Sequence, residues 1–234
     1  MRARATIFAA TTLILTGLST HSRAGDLFTG FQMDSRGQYF SYLGVRVPVV
    51  RLSGETTVFV QATSAALGYS SRSAGQLVDS NAQFIVPSLG LSRSFGRWTV
   101  LALGGPQLRR LEEERLNASP RIDHQIGAYG QVEALYWTER GSLQAIGSYA
   151  DLDNYFWGRL RGKLPVLKSD QGCCSLLVGW DIAGMGNADF RAVQTGPVIE
   201  VPIGKIFLLA KGGYENSNSF HSGGYGGAEL YIPF

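Results

Sequence analysis

The sequence predicts an all-β protein, an antiparallel up-and-down transmembrane β-barrel of about twelve strands, with ten as the other count. Three observations lead there. Apolar and polar residues alternate with a period of two in run after run, as they do where successive side chains face opposite sides of a sheet. Many of these runs reach the roughly 9–11 residues that a tilted strand needs to cross a bilayer. The chain ends on "GGAELYIPF", with Leu230, Ile232 and Phe234 on one face and Glu229 and Tyr231 on the other. The 30 glycines and the low charged fraction of 17% fit the same class, and no window holds an apolar repeat at helical spacing.

The first segment sets the compartment. Arg2 and Arg4 precede the apolar run "ATIFAATTLILTGL", and Ser22 and Ala24 supply small residues before a cleavage point. This is the pattern of a signal peptide over residues 1–24, too short and too Thr-rich for a membrane anchor. Residues 25–234 then form one domain. Cleavage removes Arg2, Arg4 and Arg23 from the 21 Lys and Arg and leaves the 18 Asp and Glu untouched, so the mature chain is neutral. A neutral chain offers no electrostatic case for a nucleic-acid partner.

Extended runs follow near 26–33, 38–50, 55–69, 80–93, 97–110, 122–137, 142–150, 154–164, 174–184, 188–201, 204–214 and 221–233. The tight connections "LSGE", "SFGR", "TERG" and "PIGK" alternate with longer or more polar ones, "SSRSAGQLVDS", "RLEEERLNASPR", "GMGNAD" and "ENSNS". Long loops on one rim and short turns on the other are the habit of an outer-membrane barrel with both termini in the periplasm. "PVLKSDQGCC" departs from it, being long where a short turn is expected.

Within the runs, polar residues keep to one parity. Ala128, Val132, Ala134 and Tyr136 oppose Tyr129, Gln131 and Glu133; Leu176, Val178, Trp180 and Ile182 oppose Asp181; Ile199, Val201 and Ile203 oppose Glu200. Ile206, Leu208 and Ala210 likewise oppose Lys205, Phe207, Leu209 and Lys211. A soluble sandwich also buries one face. Strand length favours lipid instead, as do aromatics near strand ends (Tyr69, Trp98, Tyr136, Trp137, Tyr149, Tyr155 and Tyr214), where an interfacial girdle belongs.

The run "NYFWGRLRGKL" carries the strongest site signal. Tyr155, Trp157, Arg159, Arg161 and Lys163 alternate with Phe156, Gly158, Leu160, Gly162 and Leu164. A cation facing lipid at mid-depth costs roughly 2–4 kcal/mol, so the row faces the lumen. Arg46, Glu133, Asp181, Glu200 and Glu229 share lumen parity. Two readings stay open: a salt-bridge network that fills a narrow barrel, or a polar track for sugar in which Tyr155 and Trp157 stack and the charged groups, including Arg46, Glu200 and Glu229, bind hydroxyls.

Other constellations are weaker. His221, Ser222 and Glu229 suggest a lipid-acting hydrolase, but adjacent strand residues face opposite sides, which favours an ordinary strand entry and no catalytic residues. Glu112, Glu113 and Glu114 beside Arg109, Arg110 and Arg115 read as a solvated extracellular loop, with divalent-cation bridging to lipopolysaccharide as the alternative. Cys173 and Cys174 are adjacent, which leaves free thiols, intermolecular pairing or a strained vicinal disulfide. No ligand spacing for a metal surrounds them, and nothing calls for a cofactor.

Four segments, "FSYLGVRVPV", "LQAIGSYADLDNYFWGRLRGKL", "GWDIAGMGNADFRAVQTGPVIE" and "GGYENSNSFHSGGYGGAELYIPF", together resemble the cellulose biosynthesis protein family called BcsS. The resemblance covers most of the mature chain and rests on distributed Gly, Tyr and Arg positions. It implies the outer membrane of a Gram-negative bacterium as the location and production or export of an exopolysaccharide as the process. Outer-membrane lipid, cellulose and other secretion components are then the expected partners. A lipid-modifying barrel enzyme or a small-solute pore is the alternative.

Overall fold

The computed structural model describes residues 25–52, 54–73, 76–115, 119–168, 174–218 and 221–234. They form twelve strands in chain order: β1 (Asp26–Asp34), β2 (Tyr39–Arg51), β3 (Thr56–Ser73), β4 (Gln76–Phe95), β5 (Trp98–Arg115), β6 (Arg121–Thr138), β7 (Gly141–Ala150), β8 (Tyr155–Lys168), β9 (Cys174–Gly186), β10 (Arg191–Ile203), β11 (Ile206–Ser217) and β12 (His221–Pro233). Each pairs antiparallel with its chain neighbours, and β1 pairs with β12 to close the barrel. Closure removes the unpaired edges that lipid would not tolerate. Twelve is therefore the strand count. One 3₁₀ turn, Leu152–Asn154, which the alternation did not signal, links β7 to β8.

The first and last described residues meet at one rim, here the near rim, where Gly25 N donates to Phe234 O at 2.6 Å and Phe234 N to Gly25 O at 2.8 Å. The turns at 96–97, 139–140 and 204–205 close this rim tightly, with Gly96 and Gly204 at φ +60° and +61°, a conformation that suits a residue without Cβ. The β8–β9 connection, 169–173, and with it Cys173, lies outside the described residues. At the opposite, far rim the wall is uneven. β3, β4, β5 and β6 are 18 to 20 residues long, against 9 to 14 elsewhere.

The expected charged loop at 109–115 is strand instead: β5 runs through "RLEEER" to Arg115. Its alternation carries on, with Arg110 paired to Glu112 at 3.1 Å on the outer face. Arg109 turns inward to Gln125 and Asp153. A charged run reads as a loop only when its environment is ignored; above the lipid, both faces of a strand meet water.

The outer surface shows where the lipid ends. On adjacent strands Ile85, Leu108 and Ile126 are register partners, all outward, with exposures of 56%, 41% and 76%. The next row up is Gln83, Arg110 and His124. The change from three exposed apolar side chains to three polar ones falls within one register step. At the near rim, Trp98 packs against Tyr136 at 4.8 Å between ring centroids. From Trp98 to Leu108 β5 rises about 25 Å along the barrel axis at a tilt of 35–45°, the height of a membrane barrel's apolar band.

Tyr149 and Tyr214 are exposed on the outer face, as a girdle requires. Tyr155 is not: it shares the lumen parity of Trp157 and Arg159, because its strand begins at the far rim with that face turned inward. Tyr69 pairs with the buried Ser80 and also has lumen parity.

Candidate functional site

The row in β8 faces the lumen as its period requires, with Phe156, Leu160 and Leu164 exposed on the outer wall. The structure gives each of the three cations a carboxylate. Arg161, 3% exposed, makes two hydrogen bonds to Asp181 Oδ2, from Nε at 3.2 Å and from Nη2 at 2.7 Å. Asp181 is its register partner on β9. The same guanidinium reaches Glu229 on β12, with Nη1 to Oε2 at 2.8 Å and Nη2 to Oε1 at 2.9 Å. Arg159 Nη1 meets Glu229 Oε1 at 3.0 Å, and Lys211 Nζ on β11 approaches it at 3.1 Å. Lys163 Nζ donates to Glu200 Oε2 at 2.6 Å.

Glu229 is thus a hub for three cations from two strands, and the Arg161 pair bridges β8 and β12. Three strands separate these two along the wall. Glycine makes the approach feasible. Gly179 in β9 has lumen parity, and a Cβ there would overlap the Gly162 carbonyl oxygen of β8. A Cβ on Gly196 in β10 would overlap the Gly212 carbonyl oxygen of β11. Where a side chain is missing on the concave face, adjacent strands close together and the sheet turns a corner.

Towards the near rim the network continues through Gln144 Nε2, which donates to Glu133 Oε1 at 2.5 Å, while its Oε1 accepts from Arg159 Nη2 at 3.0 Å. Arg46 donates to Gln61 Oε1 at 2.9 Å and lies over the Phe59 ring at 5.1 Å and the Phe28 ring at 5.8 Å. Asp26 and Glu133 lie within 3.9 and 4.0 Å of its guanidinium. Towards the far rim, Trp157 takes the Arg159 guanidinium over its ring at 5.6 Å, and Tyr155 is half-buried. A second cluster joins Arg36 to Asp34 at 3.0 Å and to Glu215 at 3.3 Å, and Glu215 accepts from Gln194 at 2.6 Å.

All eight residues singled out from the sequence therefore have lumen parity, and Arg159, Arg161, Lys163, Glu200 and Glu229 pair among themselves or with Asp181 and Lys211. Sequence reasoning had placed Lys211 on a polar parity without giving it a role, and it missed Gln144 and Glu215. The hydrolase reading loses its acid, because Glu229 is committed to three cations. Among the described residues no group of three or more His, Cys, Asp or Glu side chains is placed to hold a metal ion.

The arrangement defines a class: a closed twelve-strand barrel of outer-membrane type, crossed inside by ion pairs. Comparison with solved structures bears this out for the fold. The transport unit of the autotransporter AIDA-I from Escherichia coli superposes with a TM-score of 0.54 at 10% identity, over 95% of this chain and 94% of that one. The translocator domain of the autotransporter NalP from Neisseria meningitidis gives 0.52 at 12% identity, over 92% and 89%. The β domain of the Bordetella autotransporter BrkA gives 0.50 at 10%, over 89% and 97%. Likeness at such identities extends to the fold alone. No family model matches the chain, and no curated protein matches it.

Proposed function

We propose that this protein is a non-enzymatic barrel exported to the outer membrane through a cleaved signal peptide at residues 1–24, and that it assists exopolysaccharide secretion, cellulose being the substrate class, as an assembly partner and not as an open conduit. The cellulose assignment rests on the resemblance of the four segments quoted above. The choice of partner over conduit is carried by one observation, the Arg161–Glu229 pair that bridges β8 and β12. A polysaccharide track needs hydrogen-bonding groups free to meet hydroxyls. Here the cations of the row are held by Asp181, Glu200 and Glu229 at 2.6–3.0 Å, and Trp157 is stacked by Arg159. Buried charges with this many mutual bonds are expensive to separate.

Deletion of the gene, with staining for cellulose and planar-bilayer recording of the purified barrel, tests both parts. The expected outcome is reduced cellulose on the cell surface together with no steady conductance. Unchanged cellulose removes the secretion role, and a stable open channel of uniform conductance replaces the assembly partner with a pore.

A further inference from the structure

We propose that Arg191, with Asn216 beside it, binds the phosphate of a lipid headgroup in the membrane leaflet at the far rim. The two residues line one outward-facing depression of about 320 Å³ with Ala192, Val193, Ser217 and Asn218. Three features make it a site and not an incidental surface arginine.

Depth is the first. Val193, 54% exposed, is outward on β10, and Arg191 is the next outward position towards the far rim. This is the same single step that separates Leu108 from Arg110 on the far side of the barrel, so Arg191 sits where hydrocarbon gives way to headgroups.

The second is support from behind. Asn218 holds the Arg191 backbone from both sides: its side-chain Oδ1 accepts from Arg191 N at 2.8 Å, and its own backbone N donates to Arg191 O at 3.0 Å. Its amide nitrogen donates to Asp189 O at 3.0 Å, which ties down the preceding turn. The guanidinium thus rises from a fixed base.

Availability is the third. Among the described residues no carboxylate bridges Arg191, although most arginines of the barrel interior are paired. Asp189, two residues away, places its backbone oxygen on Asn218. A planar guanidinium matches two phosphate oxygens at once, and the Asn216 amide, facing outward on β11 as the register partner of Val193, supplies a further donor. The apolar wall below, Val193 with Tyr214 on the next strand, is placed to receive the acyl chains of the same lipid.

The test uses the barrel purified from outer membranes and compares wild type, Arg191→Gln, Asn216→Ala and Arg191→Lys for co-purified phosphorylated lipid by native mass spectrometry. Bisphosphorylated and dephosphorylated lipid A are added back as probes, with inorganic phosphate as a separate arm. Wild type is expected to retain bisphosphorylated lipid A and to discriminate against the dephosphorylated form. Arg191→Gln should lower retention about tenfold, the worth of one charge-assisted pair, and Arg191→Lys should restore part of it. Heat-modifiable migration of every variant controls for folding. Equal retention by Arg191→Gln, or equal retention of the dephosphorylated lipid, overturns the proposal. Displacement of the lipid by millimolar inorganic phosphate assigns the site to free phosphate and overturns the lipid assignment.

Discussion

Arg161 is the side chain on which most of the buried charge depends. Its guanidinium serves Asp181 and Glu229 together, and Asp181, 3% exposed, has no other cation within bridging distance among the described residues. Arg161→Gln therefore strands a buried carboxylate, while Glu229 keeps Arg159 and Lys211. The expected loss is about 3–5 kcal/mol, read from urea unfolding of the barrel in detergent. Arg110→Gln is the comparison: its partner Glu112 is on the exposed outer face, so its loss stays below about 1 kcal/mol. Equal effects would mean that the interior is as wet as the surface. The facing of this row was legible in the sequence because a period of two fixes which side of the wall a residue takes. Its partners were not. Arg161 meets Asp181 through the register of β8 and β9 across the 169–173 connection, and Glu229 through the bending of three strands, neither of which a linear pattern encodes.

The strands between β8 and β12 owe their curvature to missing side chains. Gly179→Ala puts a Cβ onto the Gly162 carbonyl, a backbone atom that cannot rotate away. Gly147→Ala in β7 puts one where nothing lies within 4 Å. Comparing boiled with unboiled electrophoretic migration, we expect Gly179→Ala to reduce the heat-modifiable fraction several-fold and Gly147→Ala to leave it unchanged. Matching behaviour would show that the corner at Gly179 is dispensable. At this scale the sequence was informative about the strands themselves and fell short at several of their ends: β3 runs on to Ser73 and β8 to Lys168. β4 starts at Gln76, earlier than its apolar pattern, and β5 continues through the glutamates to Arg115, since above the lipid a strand no longer needs an apolar face to mark it.

For the whole molecule the uneven wall sets the orientation. Residues 76–84 of β4 lie beyond Ile85, the last exposed apolar position before the polar row, and rise roughly 20 Å above it at ~3.3 Å per residue and a tilt of 35–45°. With Asp79, Asn81 and Gln83 exposed on its outer face, this extension cannot be drawn into hydrocarbon, and we expect it on the side where long hairpins stand, the cell exterior. The near rim, with the turns at 96–97, 139–140 and 204–205 and with Gly25 beside Phe234, is then expected to face the periplasm. An epitope inserted between Ser119 and Pro120, between β5 and β6, should be labelled on intact cells, while one inserted after Arg140, between β6 and β7, should be labelled only once the outer membrane is permeabilised. Both sites are connections and not ladder positions, so neither insertion interrupts strand pairing. The reverse pattern would invert the barrel. It would also move Arg191 from the outer leaflet to the inner one, away from lipid A, and so would overturn the lipid A retention expected of the rim site.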